Sequence, residues 1–582
     1  MPVKSTTKDA IIISYTTKPE FETNAITEIT NKYYTDFQME TARFISSYYF
    51  SSLSEALALF VPFEQGENIH NSSIAISKLP MLTTDQQNAL TEILEHKRSL
   101  LFGVTGAGKT EIFIHLMAQA LSDNKTVIML MPEIALTPQM HKRLSNYFGD
   151  SIALWHSKLT KKQKEKILDG LNSGEIQIIA GARSALFVPL ANIGLIIVDE
   201  EHDDSYKSMM RPRYNAKDMA IYMGDKLNAK VLLASATPSL SSFYKYPVVR
   251  LKTPYIKTNK QYRFTHGDSI DTQSINLLRQ TVQSQNQAIV FLPTRGNFKY
   301  LHCNSCGATH KCPFCSVGMT LHRDNRHLRC HYCGYSEVIT ESCIQCGHSP
   351  LSSERIGTKE AIEIIQEAMP DANIAQFDKD SITTPTKLHK ALFALSTKET
   401  DILVGTQMLS KGHDYPDITL GIIMGLDYMI GMADFRAKER AMSMLFQIAG
   451  RSGRAKDAIV LIQTNYEDIF SEYLSDYELF LNDEIEFRKL SNYPPFCSMA
   501  RIIIQHQKEA NANDTMRDTL SKLKSYADIE IIGHGKAPIE RVANKYRYHI
   551  LLRSHTKKAL VNALHGVNSR AIEIDMDALD FS

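Results

Sequence analysis

Three things are scarce in this chain of 582 residues, and each scarcity excludes a class of function. No stretch approaches the roughly twenty consecutive apolar residues that a bilayer span requires, so no membrane role is expected. The opening, MPVKSTTKDAIIIS, has too short an apolar run for a secretory leader, and a cytoplasmic location is expected. Net charge is nearly absent: 65 Lys and Arg face 64 Asp and Glu, a formal +1. With no global field of one sign, any nucleic-acid surface must be a local basic patch. Cysteine is scarce outside one window: of nine, all but Cys497 fall between Cys303 and Cys346. In a reducing compartment that clustering reads as metal ligands and not as disulfides. Low-complexity tracts and short repeats are also missing.

The length calls for several hydrophobic cores. Residues 1–80 carry no strong motif. They include apolar and aromatic residues at helical spacing from Phe37 to Pro62, then the polar, linker-like GENIHNSSIAISKLP. From Met81 onward, short apolar runs (SLLFGV, VIMLMP, IQIIAG, GLIIVDE, KVLLASA) alternate with amphipathic segments such as KTEIFIHLMAQAL. That alternation predicts buried parallel strands with crossover helices, an α/β domain over 81–255. A second alternating set, AIVFLP, DILVGT, TLGIIMG and AIVLIQT, predicts another over 256–475. The cysteine block, 299–350, interrupts it directly after AIVFLP. The runs ARIIIQ, DIEIIG and HILLRS predict a small α+β domain over 476–582.

Gly103-Val104-Thr105-Gly106-Ala107-Gly108-Lys109-Thr110 fits G-x-x-x-x-G-K-[ST] between a strand and a helix, the context a phosphate-binding loop requires. Its backbone N–H groups and the helix N-terminus suit phosphate oxygens. Lys109 is placed for the β- and γ-phosphates of ATP, and Thr110 for Mg²⁺. Downstream, the strand Gly194–Val198 ends at Asp199-Glu200-Glu201-His202. Asp199 is positioned to hold Mg²⁺, and Glu200 to orient or deprotonate the attacking water.

Together with Ser235-Ala236-Thr237-Pro238, these segments resemble the first lobe of a superfamily-two helicase. Gly405-Thr406-Gln407-Met408-Leu409-Ser410-Lys411-Gly412-His413-Asp414 and Gln447-Ile448-Ala449-Gly450-Arg451-Ser452-Gly453-Arg454 resemble motifs of its second lobe. The resemblance implies two RecA-like lobes with ATP between them, Arg451 and Arg454 reaching the γ-phosphate as arginine fingers, and Gln86 in an adenine-reading motif. It narrows to the PriA replication-restart helicases through GARSALFVPLANIGLIIVDEEHDDSYKSMMRPRYNAKDMA, GTQMLSKGHDYP, ADFRAKERAMSMLFQIAGRSGR and API-x-R…YRYHILLR, covering about Leu82 to Arg553. That family implies an ATP-driven 3′→5′ DNA helicase acting on stalled or collapsed forks and starting primosome assembly. Its implied partners are forked and single-stranded DNA, single-strand DNA-binding protein and other primosome proteins, and a monomer is expected. The loop with Tyr206, Lys207, Arg213 and Tyr214 resembles the segment coupling DNA occupancy to hydrolysis, and its aromatics and cations suit single-stranded DNA. Arg183 and His202 join that coupling set.

This chain departs from the family at Ala182, where threonine is usual, and at Lys359, where Gly357-Thr358 is usually followed by glutamate. The family's N-terminal β-barrel, which holds a DNA 3′ end, and its winged helix do not fit within residues 1–80. DAIIISYTT supplies one apolar strand, and one strand cannot close a barrel. A reduced N-terminal region is therefore expected, with Phe37–Pro62 matching the family's helical segment beyond the barrel.

Cys303-x-x-Cys306, Cys312-x-x-Cys315, Cys330-x-x-Cys333 and Cys343-x-x-Cys346 supply the thiolates of two closed tetrahedral zinc sites. Spacing leaves the pairing open. The family resemblance implies nesting, with Cys303, Cys306, Cys343 and Cys346 in one site and the inner four in the other. With thiolates enough, His302, His310, His327 and His331 are expected to face solvent. Arg323, Arg326, His327 and Arg329 form a basic stretch consistent with phosphate contact. Two other classes compete with a DNA helicase: a zinc-containing DNA-binding scaffold with a vestigial ATPase, and an RNA helicase. The full set of ATP-site groups disfavours the first, and the zinc insertion disfavours the second.

Overall fold

A computed structural model describes residues 2–3, 6–7, 10–12, 26, 28–64, 78–132, 138–267, 269–293 and 357–579, apart from 379–380, 410–416 and 433. Within the cysteine-rich stretch it describes short pieces: 301–302, 310–314, 319–322, 327–330, 333, 335–338, 342–343, 345–349 and 352–353.

The first lobe is a seven-stranded sheet in the order Val248–Leu251, Arg98–Gly103, Lys230–Ser235, Ile193–Asp199, Thr126–Leu130, Ile178–Gly181, Ile152–Trp155. Every neighbouring pair is parallel. This explains why its strands read as unbroken apolar runs: both faces are covered, so neither needs polar residues. One face packs against the helices Thr84–Glu95 and Lys109–Ser122. The other shares a core with the helix Asp36–Tyr48 and with the C-terminal domain. Thr35 and Thr83 each begin a helix by a reciprocal capping box with Gln38 and Gln86.

The second lobe is a six-stranded parallel sheet, ordered Lys260–Thr265, Ala458–Gln463, Ile418–Ile423, Gln287–Phe291, Ile402–Gly405, Ile374–Phe377. Phe102 and Leu240 of lobe one sit in its core beside Ala449, Tyr477 and Phe480. The C-terminal domain is a four-stranded antiparallel sheet, Glu530–Val542, Lys545–Ser554, Ser498–His506, Ile572–Met576, with the helices Glu509–Leu523 and Lys557–Val567. Its edge strand Glu530–Val542 buries only Ala537 and carries two register shifts, which blunt an unpaired edge.

The fold matches the expected two parallel α/β lobes and α+β C-terminal domain. Strands that lack a long apolar run (Ile152–Trp155, Val248–Leu251, Lys260–Thr265, Ile374–Phe377 and Ile572–Met576) were not legible in the pattern. In the N-terminal region, the helices Asp36–Tyr48 and Leu53–Leu57 occupy the stretch read as helical. Most of DAIIISYTT, and nearly all of the linker-like GENIHNSSIAISKLP, lie outside the described residues.

Candidate active site

The carboxyl ends of adjacent parallel strands bring three lobe-one segments together. Arg98–Gly103 delivers the phosphate loop, Ile193–Asp199 the acidic residues, and Lys230–Ser235, between them, the serine that begins Ser235-Ala236-Thr237. Gly106 and Gly108 both have φ of +80°, a region L side chains avoid. At Gly108 space is also short, since a Cβ would lie 2.1 Å from Gln86 Nε2. Gln86 is buried and clasps the loop: its amide nitrogen donates to the carbonyls of Ala107 and Gly108 at 3.1 and 3.4 Å, and its oxygen accepts from Thr83 N at 2.8 Å. Both ends of the expected adenine-reading side chain are thus engaged within the protein.

Lys109 begins the following helix and donates to Gly103 O at 2.8 Å. Burial lowers its ammonium below the ordinary lysine value, while Glu200 and Asp199 oppose that shift. Burial raises the Asp199 carboxyl to about 7, with Glu200 adding to the rise and Lys109 and Arg451 pulling against it. Glu200 has φ of +47°, and its buried Oε2 accepts no hydrogen bond among the described residues. Two adjoining half-buried carboxyls with an unfilled acceptor are a donor set suited to a hard divalent cation and its waters, and Thr110 adds a hydroxyl.

Lobe two closes on this cluster through the end of the helix Ala437–Ala449 and the turn after it. A Cβ on Gly450 would lie 2.5 Å from Thr105 Oγ1 in the phosphate loop, so glycine permits the approach. Arg451 is buried. Burial lowers Arg454 to about 10, an effect that Glu200 partly offsets. Lys109, Arg451 and Arg454 therefore meet Asp199 and Glu200 in one desolvated cleft. That cationic excess suits a triphosphate.

A second contact joins the lobes beside the cleft. The Gln447 amide nitrogen donates to His202 Nε2 at 2.6 Å and lies 3.2 Å from Thr237 Oγ1 and 2.9 Å from Ser443 Oγ. His202 Nδ1 then carries the hydrogen and donates to Ser235 Oγ at 2.8 Å, and Ser235 Oγ also accepts from Thr237 N. Gln447 was not singled out from the sequence, although it begins the QIAGRSGR run. Glu201, next to the acidic pair, is structural: it is buried and holds Lys217 at 2.8 Å, Ser239 N at 2.6 Å and Ser242 Oγ at 2.6 Å.

Comparison with known proteins fits this geometry. Residues 83–245 match the DEAD/DEAH box helicase family and 355–456 the helicase conserved C-terminal domain. Residues 312–337 match the PriA DNA helicase Cys-rich region and 489–579 the primosomal protein N C-terminal domain. The replication restart protein PriA of Helicobacter pylori strain J99 is 41% identical over 100% of this chain and 95% of its own length. Those of Rickettsia prowazekii and Bacillus subtilis are 35% and 34% identical over 89% and 81% of this chain, and 84% and 62% of their own lengths. The chain belongs to the PriA family. It is a replication-restart helicase, an ATP-dependent DNA helicase with a zinc-binding region.

In this PriA-family chain the loop from Tyr206 to Tyr214 is largely packed into the fold. Tyr206 and Tyr214 were expected to stack on single-stranded DNA with Lys207 and Arg213 beside them. Instead Tyr206, Lys207 and Tyr214 are buried, at 2%, 3% and 5% exposure. Tyr206 Oη donates to Asp199 O at 2.5 Å, and Tyr214 packs edge-on against Phe187 at 5.2 Å. Lys207 pairs with Asp575 at 3.0 Å and Arg213 with Glu573 at 2.7 Å, both on the last strand of the C-terminal domain. Arg183 donates to Lys207 O at 2.6 Å. Hydrophobic burial and ion pairing with a distant strand decided this placement, and neither is visible in a local pattern. The exposed tip of the loop is Met209 and Met210.

In the PriA-type Cys-rich region, the sulfurs of Cys312, Cys330 and Cys333 lie within 4.8 Å of one another, around Met319 and Leu328. Cys312 and Cys333 are 3.7 Å apart. Tetrahedral Zn–S bonds of about 2.3 Å put thiolates about 3.8 Å apart, so the cluster fits zinc. These are three of the four inner cysteines; Cys315, like Cys303 and Cys306, lies outside the described residues. Cys343 is buried and Cys346 exposed. Gly347, with φ of +72°, closes the turn between them by donating to Cys343 O at 2.8 Å. His310 corrects an expectation: it is buried and bonded to Glu337, not solvent-facing. Arg323, Arg326 and His331 lie outside the described residues.

Proposed function

We propose that this chain is a 3′→5′ translocating motor that unwinds forked DNA at stalled or collapsed forks and begins primosome assembly there. The observation that carries the reading is the meeting of Lys109, Asp199 and Glu200 of lobe one with Arg451 and Arg454 of lobe two in one buried cleft. ATP binds with its phosphates on the Gly103–Thr110 loop. Lys109 leaves Gly103 O for the β- and γ-phosphates. Thr110 and Asp199 would hold Mg²⁺, and the ion would supply charge neutralisation at the phosphate oxygens. Glu200 orients the attacking water and accepts its proton. Arg451 and Arg454 stabilise the charge on the transferring phosphoryl group, and lobe closure becomes dependent on the γ-phosphate. The His202–Gln447 contact reports that closure to the other lobe.

In this reading Arg183, His202, Tyr206, Lys207, Arg213 and Tyr214 couple DNA to hydrolysis through the C-terminal domain. Two structural zinc ions sit in the Cys-rich region. The motor works as a cytoplasmic monomer with single-strand DNA-binding protein and primosome proteins as partners. Lobe one spans 81–255, lobe two 256–475 with the zinc module at 299–350, and the C-terminal domain 476–582. The test is DNA-stimulated ATPase and unwinding on forks with different nascent strands. Lys109→Ala is expected to lose ATP turnover and keep single-strand binding, and Glu200→Gln to bind ATP without hydrolysing it. Near-normal turnover in Lys109→Ala overturns the site assignment.

A further inference from the structure

The last residues of the C-terminal domain touch both lobes within seven positions. Towards lobe one, Glu573 and Asp575 hold Arg213 and Lys207, and the carbonyl of Met576 accepts from Lys207 Nζ. Lys207 directly follows Tyr206, whose hydroxyl donates to the backbone carbonyl of Asp199. A single buried residue step therefore separates the C-terminal strand from the acidic end of the ATP site. Asp577 continues the seam by accepting from Tyr48 Oη at 2.8 Å.

Towards lobe two, the next two carbonyls are taken by arginines. Arg436 donates to Ala578 O and Leu579 O at 3.1 and 2.6 Å, and Arg440 to Leu579 O at 2.8 Å. Both are oriented by the buried Asp434. Arg440 also reaches Asp204 of the coupling loop at 3.1 Å. These arginines stand at the start of the helix Ala437–Ala449, whose other end presents Gln447 to His202 and leads into Arg451 and Arg454. A helix of this kind moves as a rigid rod, so fixing its first turn constrains its last.

We propose that residues 573–579 are a strap that positions the two halves of the ATP site relative to each other, with Asp575 and Arg440 as positioning residues for DNA-stimulated hydrolysis. On the lobe-one side, the strap fixes the Tyr206–Lys207 step against Asp199. On the lobe-two side, it fixes the helix that carries the arginines. The C-terminal domain shares its core with lobe one, so it forms a fixed post from which the strap extends across the cleft. When DNA shifts lobe two against this post, the change reaches the ATP site from both sides at once. The strap touches no phosphate-site atom itself.

The inference rests on the ATP-site reading above, and the test separates the two. In the full-length protein, Asp575→Asn keeps the shape and removes the charge facing Lys207. Arg440→Ala cuts the lobe-two end at a residue that is partly solvent-exposed, so it decides the matter if Asp575→Asn fails to fold. Each is assayed for ATP turnover with and without oligo(dT), KM for ATP, oligo(dT) affinity and thermal unfolding. The expected result is a DNA-stimulated kcat lower by about fivefold or more, the lower bound of usual coupling energies. Unstimulated turnover, KM for ATP and oligo(dT) affinity stay within about twofold. Normal stimulation in folded Arg440→Ala overturns the strap. So does a loss of stimulation matched by an equal loss of oligo(dT) affinity, which makes the segment part of a DNA surface. Failure of the ATP-site reading shows differently, as Lys109→Ala protein that still hydrolyses ATP.

Discussion

Gln447→Ala tests how the lobes sense each other. The native amide offers two N–H groups to three acceptors, His202 Nε2 at 2.6 Å, Ser443 Oγ at 2.9 Å and Thr237 Oγ1 at 3.2 Å. His202 and Thr237 belong to lobe one, and all of these groups are buried or nearly so. A net buried hydrogen bond contributes about 1 kcal/mol, so losing both donors weakens the closed arrangement by about 2 kcal/mol. At 1.36 kcal/mol per decade that is about thirtyfold in the closed population. If hydrolysis proceeds only in that arrangement, DNA-stimulated kcat falls by about ten- to thirtyfold while single-strand binding persists. The assay is steady-state turnover on oligo(dT), run as a cycle with His202→Ala and the double variant. Because the two side chains act through one contact, the double variant should be no slower than the slower single variant, a coupling of about 1–2 kcal/mol. Effects that add in log kcat refute the reasoning, since they mean that the histidine and the glutamine work independently.

Further outcomes follow from other contacts. Gly450→Ala places a methyl 2.5 Å from Thr105 Oγ1 and 3.0 Å from the Phe446 carbonyl, so the lobes cannot close fully; ATPase should fall at least about tenfold, the effect of about 1.4 kcal/mol, with DNA affinity retained. The purified protein should hold two zinc ions per chain by atomic absorption, and Cys312→Ser should lose about one; iron, or a single ion, contradicts the two-site proposal. Burial, with help from Arg454, lowers Lys260 to about 8. Its folded pKa lies below the unfolded value, so the unfolded chain binds more protons between about pH 8 and 10.4, and stability rises with pH across that window. Lys260→Met should therefore raise the unfolding free energy from urea titration at pH 7 by about 3 kcal/mol, with the gain falling below about 1 kcal/mol by pH 10; an equal gain at both pH values refutes the charge argument.

Local chemistry determined much of this protein from sequence alone. The phosphate loop, Asp199-Glu200 and the knuckle spacing of the cysteines are each written within a few consecutive residues, because a phosphate, a divalent cation or a zinc ion imposes its geometry on a short stretch. The parallel lobes were legible for a related reason: strands covered on both faces must be apolar throughout. Only tertiary structure decided what the polar side chains between those motifs do. Lys207 and Arg213 read as DNA-facing cations until the fold set them against a strand 360 or more positions away. The fold closes Gln86 over the phosphate loop, and His310, read as solvent-facing, meets Glu337 in the interior. Gln447 and Arg440 lie inside runs that carry the family resemblance, but nothing local to them or to Asp575 names the partner each one meets. An ion pair or buried hydrogen bond is specified by where two distant segments meet, and a linear pattern records each partner without recording the meeting.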